Sequence, residues 1–509
     1  NEQFYLYLAL TKASEQVVLT YSVMTSKGES KRPSYLINRV KQVFPKLVVE
    51  KEESDTSYEK IMGSDKGKSY LISHLADGTY AKDVIWWEIA SHYEKKTPGI
   101  LKDLLRIREK RAGNNSLKKE AAKRLFGDVL YGSVTRFEQY VQCPFAFFSH
   151  YGLLLNERQQ YEISSLDHGN LFHQAMEHLS HELEQRNKNW QDLSEEEAVL
   201  LAAECVDAVA ERYQGRKYFQ SNRVSFMLKR LKNEVVHSVW AMWHQMQEGD
   251  FVQTYTEKGF RGNDKEWESM CIPFDEDAKI CLNGVIDRVD LCSLPGEELI
   301  KVIDYKSSDS QDLSLAKVYY GLQMQLLTYL EAAKEMVEKE HKGKEAVPAA
   351  MLYYAIKEKN LDWKPESEEE YEKRVLDSMK CKGYVNEEPE IIGHLDKSVV
   401  NGGELIPGQK SGVVPVAVDK KGLLKKNSGA LSTKDFETLI AHTKEKMKEC
   451  GKAILDGKIE AIPYVYEDND GCTYCPYGSV CGHESKKDGV REMKKMSDDE
   501  VWEALYGDD

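Results

Sequence analysis

The sequence predicts an α/β chain, on three observations. Apolar residues recur at helical spacing through long stretches, above all from Gly132 to about Gln247. β-Branched, alternating patterns take over from Phe251 to Lys306. A helical pattern from Gly321 to His341 then gives way to a strand-like Met351 to Ile356. Strands interleaved with helices in this way define the class.

Length and composition set the bounds. A chain of 509 residues with 41% apolar and 30% charged residues exceeds one core, so roughly two to four domains are expected. No stretch approaches the roughly 18 consecutive apolar residues of a membrane span, and no basic, apolar opening resembles a signal peptide, so a cytoplasmic location is expected. The chain opens at Asn1 already inside patterned sequence, which suggests the C-terminal portion of a longer polypeptide. The net charge of −15 argues against a protein coated all over in nucleic acid but leaves room for a local basic track. Two tracks exist. Between Leu101 and Gly127, Lys102, Arg106, Arg108, Lys110, Arg111, Lys118, Lys119, Lys123 and Arg124 face three acids; from Lys410 to Lys426, five lysines face one. Solvated helix and loop faces are the plainer reading of both.

The elements follow in order. Residues 1–24 hold a helix-like run and a β-branched strand, Val17 to Ser22, ended by Lys27-Gly28. From Val48 to Gly127 the pattern is charged and mostly helical, with Trp86 and Trp87 on an apolar stripe. In this region Gly63 to Ser69 approaches a phosphate-binding loop, but it is one residue short between its glycines and follows no strand. The pattern changes at Gly132, and Ser133 is the expected N-cap of a helix from Val134 to Phe148. The stretch from Gly402 to Gly429 reads as a long loop or short hairpin, Thr433 to Leu455 as a helix, and the tail after Gly482 as charged and peripheral.

The chemistry concentrates in one predicted hairpin. Strands Val285 to Leu291 and Leu299 to Lys306 flank a Pro295-Gly296 turn signal. Side chains alternate faces along a strand, so Val285, Asp287, Val289 and Leu291 share one face, and Ile300, Val302, Asp304 and Lys306 another. A hairpin symmetric about Pro295-Gly296 puts Asp287 directly opposite Asp304. Opposed residues have Cβ atoms roughly 5 Å apart, so two half-buried carboxylates repel unless a cation lies between them. Oxygen ligands suit Mg²⁺ or Mn²⁺, and Lys306 points to the same place. A divalent ion and a lysine together suit phosphodiester hydrolysis. The plainer alternative is a surface hairpin whose acids pair with lysines.

Other candidates flank the hairpin. His173 lies beside the stripe of Phe172, Met176, Leu179 and Leu183 near a helix start, where a structural histidine is the commoner case. Gln325 and Tyr329 lie four apart on one helix face. Ten cysteines in a reducing compartment argue against a disulfide framework. Cys205, Cys271, Cys281, Cys292, Cys381 and Cys450 stand alone and read as small buried apolar residues. Cys472, Cys475 and Cys481, with Cys143 far upstream, form a set of four thiolates that suits zinc or an iron-sulfur cluster.

Four segments, GNLFH (169–173), GVIDRVD (284–290), VIDYKSS (302–308) and QLLTY (325–329), resemble in this order the motif set of RecB-type nucleases in the PD-(D/E)XK superfamily. The resemblance implies a mixed sheet flanked by helices. It implies that His173, Asp287, Asp304 and the backbone carbonyl of Tyr305 ligate Mg²⁺ or Mn²⁺, that Lys306 is the catalytic lysine, and that Gln325 and Tyr329 support the DNA or the site. The Cys-Pro-Phe at Cys143 with the late three-cysteine run is similar to iron-sulfur members, which implies a [4Fe-4S] cluster on Cys143, Cys472, Cys475 and Cys481.

The opening segment, Tyr5 to Ser14 followed by Val17 to Ser22, resembles the last motif of superfamily 1 helicases with Lys12 in place of the arginine. A lysine lacks the planar fork of a guanidinium, so ATPase activity is not expected. With Arg32 to Leu36 and Phe44-Pro45, the resemblance extends to AddB-type subunits of bacterial AddAB helicase-nucleases. It implies the end of a degenerate helicase-like domain (1–47), a helical connector (48–130), an iron-sulfur nuclease domain (131–485) and a tail (486–509). It also implies an AddA-like helicase-nuclease partner in a heterodimer, DNA as substrate, and cleavage of the 5′-ended strand in double-strand-break resection and recombinational repair. The alternatives are a self-sufficient iron-sulfur nuclease and a non-catalytic DNA-binding scaffold subunit.

Overall fold

The structure, a computed structural model, describes residues 2–23, 30–49, 64–77, 83–111, 116–156, 165–214, 222–261, 267–306, 312–356, 367–483 and 489–507. The Lys27-Gly28 stop signal, Gly63, Ser307, Ser308 and the boundary at 485–486 lie outside the described residues, as do the side chains of Arg108, Lys110 and Arg111. The chain divides into two compact units, 1–113 and 114–509.

The first unit is helical, with helices at Glu2–Thr11, Tyr35–Val43, Ser64–Asp77, Val84–Lys96 and Ile100–Arg111. Asp83 starts the fourth by accepting the Ile85 and Trp86 amides, the usual N-cap exchange. Its small core is Leu71, Leu75, Trp86, Ala90 and Tyr93. Trp87 does not share the stripe with Trp86: it is 49% exposed against 1%, because one helical step turns a side chain out of the apolar face. The expected strand Val17 to Ser22 is extended and has no ladder partner among the described residues. β-Propensity alone does not form a strand without a neighbour. Ser64 to Ser69, all but the first residue of the near-miss phosphate loop, is helical.

The second unit is built on a mixed sheet flanked by helices. We number its strands β1 (Val129–Gly132), β2 (Val252–Phe260), β3 (Met270–Pro273), β4 (Lys279–Leu282), β5 (Gly284–Ser293), β6 (Glu297–Lys306), β7 (Glu345–Ala355) and β8 (Lys382–Asn386). The main sheet runs β8-β7-β6-β5-β2, with the short Ala430–Leu431 strand beyond β8. β6 and β7 are parallel, and β5 pairs antiparallel with both β6 and β2. A parallel β6-β7 pair needs a crossover, and the Gln325–Glu340 helix supplies it. β1, β4 and β3 form a separate small sheet.

Both faces of the main sheet are covered. On one, Val289, Leu291, Ile300, Val302 and Met351 pack with the helices Val134–Gln142, Gln325–Glu340 and Thr433–Leu455. On the other, Leu299, Ile303, Tyr305 and Leu352 meet the helices Ser165–Gln185, Glu195–Gln214 and Asn222–Gln247. Burial on both faces explains why Leu299, Ile300, Val302 and Ile303 put apolar side chains on both sides of β6. Pro348 is tolerated in a central strand because the register of β6 against β7 shifts between Ile300 and Lys301, where Pro348 lies. Among the described residues, no helix is long and apolar enough to cross a membrane.

Four expectations are corrected. The helix from Val134 ends at Gln142, because Pro144 starts a second short helix behind Cys143, and Ser133 caps without a side-chain hydrogen bond. The helix expected from Gly321 begins at Gln325, since Gly321 is left-handed at φ +79°. Cys271 and Cys281 are not isolated apolar residues: they face each other across β3 and β4 and form a disulfide, with Cys271 exposed. The tail is not peripheral: Arg491–Glu492 pairs with Tyr464–Val465, and Val501 of the Asp498–Tyr506 helix is fully buried in the core.

Candidate active site

The hairpin register runs from Arg288 opposite Ile303 to Ser293 opposite Glu298, with Gly296 at φ +88° in the turn. One step beyond the last ladder pair, Asp287 and Asp304 are opposed. Instead of a backbone pair there, Asp287 Oδ2 accepts the Tyr305 amide at 2.7 Å. The two residues are 8% and 2% exposed. Desolvation first, then the charge of Asp304, holds the Asp287 carboxyl well above its ordinary range. Asp304 is raised by desolvation, with the Lys306 ammonium opposing.

Lys306 shares that face. Its Nζ lies 2.5 Å from Asp304 Oδ2 and donates to Gln325 Oε1 at 2.9 Å, above the Tyr353 ring. The Asp304 approach is an ion pair whose angle falls short of a hydrogen bond, so Oδ2 is buried without a hydrogen-bond partner. Gln325 in turn donates through Nε2 to the Tyr329 hydroxyl at 2.9 Å.

His173 comes from the Ser165–Gln185 helix, held by the burial of Phe172, Met176 and Leu179. Its Nδ1 lies 2.8 Å from Glu257 Oε1 and 3.6 Å from Asp287 Oδ1. Burial pulls the imidazole down, but the Glu257 hydrogen bond and the Asp287 charge outweigh it and leave the pKa raised.

Sequence reasoning missed Glu257. The β2-β5 register, with Thr256 opposite Arg288 and Lys258 opposite Ile286, sets it across from Asp287. Its φ of +46° is a strained conformation for a non-glycine residue, of the kind that clusters at functional sites. His173, Glu257 and Asp287 bring ligand atoms within 4.8 Å of one another. Asp304 stands outside that group, turned to Lys306. An imidazole with hard carboxylates, of which Asp287 is held well above its ordinary range by desolvation and the charge of Asp304, is a donor set that fits a divalent cation.

Glu138 was also missed. It lies on the Val134–Gln142 helix, and its Oε1 accepts the Met324 and Gln325 amides at 2.6 and 3.2 Å. Desolvation pushes its carboxyl up to about 7, with those amides and Lys306 opposing.

Behind the site, Arg288 and Asp290 alternate onto the other face. Arg288 Nε donates to Asp290 Oδ1 at 2.7 Å, and Lys301 Nζ lies 2.9 Å from Asp290 Oδ2. Burial raises Asp290, but Arg288 and Lys301 outweigh it and hold it low. The Arg288 charge also acts on the side chain of Tyr305, whose backbone amide holds Asp287.

The four cysteines converge from the two ends of the domain. Cys143 packs with Ala146, Tyr477 and Cys475. Asp470 Oδ1 accepts the Cys472 and Thr473 amides at 2.9 and 2.6 Å, shaping the turn between Cys472 and Cys475. Burial, then Asp470 and the neighbouring Cys143, Cys475 and Cys481, pushes the Cys472 thiol up to about 11. The four thiols share one neighbourhood, and thiolates suit a bound metal group. Arg491, from the tail, donates to the Val141 carbonyl and to the Gln142 carbonyl at 3.3 Å, tying down the chain just before Cys143. Several track residues are paired at the surface: Lys119 with Asp456, Lys123 with Asp128, Lys410 with Asp377 and Lys426 with Asp499.

Comparison with known proteins accords with this geometry. A protein of Lachnoclostridium phytofermentans is 34% identical over all of this chain and 43% of its own length. One of Clostridium perfringens is 32% identical, and one of Thermoanaerobacter pseudethanolicus 30%, each over 99% of this chain and 44% of its own length. All three are named as a subunit of an ATP-dependent helicase/deoxyribonuclease. The chain therefore spans less than half the length of these relatives. The family model of the PD-(D/E)XK nuclease superfamily matches residues 132–482, and with most of its length inside that match the chain belongs to this superfamily.

Proposed function

We propose that this chain is the C-terminal part of an AddB-like subunit whose nuclease domain hydrolyses DNA phosphodiester bonds in a metal-dependent reaction. It works with an AddA-like helicase-nuclease in a cytoplasmic heterodimer that resects double-strand breaks for recombinational repair, cutting the 5′-ended strand. The observation that carries the reading is the placement of Asp287, Asp304 and Lys306 on one face of a hairpin, with His173 and Glu257 brought against Asp287.

His173, Asp287, Asp304 and the Tyr305 carbonyl would hold Mg²⁺ or Mn²⁺, with Glu257 as a further donor. When bound, the ion polarises a phosphoryl oxygen and acidifies water. The chain's own groups do the rest. Lys306, a compact point charge held by Gln325, neutralises negative charge developing on the phosphoryl oxygens. The Tyr305 amide fixes the Asp287 carboxylate, and Tyr329 orients the Gln325 amide. Cys143, Cys472, Cys475 and Cys481 would hold a [4Fe-4S] cluster, which ties the two ends of the domain together. Closing so long a loop restricts the unfolded chain most.

The test is degradation of the 5′-ended strand of linear duplex DNA by the chain with its partner subunit, with and without Mg²⁺, because the partner is itself a nuclease. Metal-dependent cleavage that disappears in Asp304→Ala supports the reading. Cleavage unchanged in that variant overturns it, and absence of cleavage in the wild type favours a non-catalytic scaffold.

A further inference from the structure

The first amides of a helix have no acceptor within it. In the Gln325–Glu340 helix the N-cap is Met324, whose thioether supplies no capping hydrogen bond. The acceptor comes from elsewhere. Glu138 Oε1 takes the amide hydrogens of Met324 at 2.6 Å and Gln325 at 3.2 Å, across a sequence separation of 186 residues. A carboxylate at this position also meets the positive end of the helix dipole.

The residue that follows this cap is the one that touches the lysine. Gln325 opens the helix, so the cap sets where its backbone begins. Its Nε2 donates to the Tyr329 hydroxyl, which leaves Oε1 facing Lys306 Nζ at 2.9 Å. The chain of contacts runs from Glu138 through the first turn to Gln325 and ends on the ammonium beside Asp304. A serine or aspartate at position 324 would cap the helix locally. The carboxylate comes instead from a helix that otherwise packs against this one through Val134, Phe137 and Val141.

We propose that Glu138 is a positioning residue for Lys306: by capping the Met324 and Gln325 amides it fixes the first helical turn, and through Gln325 Oε1 it holds the ammonium beside Asp304. The proposal rests on the nuclease reading above. Glu138 acts through the two amides it caps rather than on the reacting atoms. Its loss therefore slows the chemical step rather than DNA binding, and does so only while Gln325 is present to transmit it.

The experiment is a double-mutant cycle on the full chain with its partner subunit, measuring Mg²⁺-dependent degradation of the 5′-ended strand of linear duplex DNA in wild type, Glu138→Ala, Gln325→Ala and the double variant. Glu138→Ala should lower kcat on the order of 10-fold with KM within about 2-fold, and should add less than about 2-fold to Gln325→Ala. Glu138→Gln, whose amide oxygen still accepts both N–H groups, should recover most of the loss. Should Glu138→Ala fail to fold, Glu138→Asp takes its place, because its carboxylate is one methylene short of the amides. A full 10-fold penalty on the Gln325→Ala background, or a kcat within about 2-fold of wild type, overturns the proposal. Asp304→Ala separates the two readings: an active wild type and a dead Asp304→Ala uphold the nuclease whatever Glu138 does, while an inactive wild type sinks both.

Discussion

Asp287 Oδ2 accepts the Tyr305 amide hydrogen at 2.7 Å, so the carboxylate of one strand is fixed by the backbone of the next at the point where their ladder stops. The exchange lets two acids face each other at the end of a buried hairpin without both relaxing away. On the opposite face the side chain of the same Tyr305 feels the charge of Arg288. One residue thus links a front-face carboxylate to a back-face ion cluster.

The first prediction concerns that strained pair. Asp304→Asn removes a buried negative charge that raises the pKa of Asp287. Cleavage should fall by about 100-fold or more, because the lysine's carboxylate partner and an expected ligand are lost together. The metal-free protein should unfold at higher urea by about 1–2 kcal/mol, since like-charge repulsion is relieved. A variant both inactive and less stable in the absence of metal would contradict the electrostatic account.

Arg288 tests the back face. It is 1% exposed, forms two hydrogen bonds to Asp290 and lies over the Trp190 ring. Arg288→Ala leaves Asp290 to Lys301 alone. Breaking a buried ion cluster by removing one member costs about 3–5 kcal/mol. Urea unfolding should show a loss of this size. A change under about 1 kcal/mol would mean that water or relaxation replaces the contact.

These contacts also show what can be read from sequence and what cannot. The Asp287-Asp304 opposition was legible because a short turn fixes the register of a hairpin, whereas His173, beside a helical stripe, became a candidate only through the resemblance. Glu257 was not, because β2 reaches β5 across a long separation with a register shift between Gln253 and Tyr255, and no local pattern announces a left-handed glutamate. Glu138 has partners 186 residues away and looks like any polar helix position. Cys271 and Cys281 could have been paired had β3 and β4 been recognised as a hairpin, but short strands give little alternation to read. Val17 to Ser22 failed in the other direction: strong β-propensity with no neighbouring strand among the described residues.

The cysteine site makes a spectroscopic prediction. Cys481→Ala should lose the visible absorbance of an iron-sulfur cluster and, with it, much of the domain's resistance to heat, because the tie between Cys143 and the C-terminal run is cut. Absorption spectra and iron content measured beside melting curves check both effects. A colourless wild type carrying zinc would assign the four thiolates to a tetrahedral zinc site instead.

The last prediction follows from Glu138 and pH. Its carboxyl is raised from an ordinary 4.5 to about 7 in the folded chain, chiefly by desolvation. Between those values the folded state keeps a proton that the unfolded chain has released. The unfolded state therefore binds fewer protons, and stability falls as pH rises from about 4.5 to about 7. Glu138→Gln has no proton to lose and cannot show this component. Asp304 helps raise the Glu138 carboxyl, so the difference between the two proteins reports Glu138 together with its coupling to Asp304. Relative to wild type, the glutamine variant should gain on the order of 2–3 kcal/mol between about pH 4.5 and pH 8. Urea midpoints of the two proteins across that range measure it. Parallel curves would show that the carboxyl is already ionised at low pH, held by the Met324 and Gln325 amides and Lys306 more strongly than desolvation opposes them.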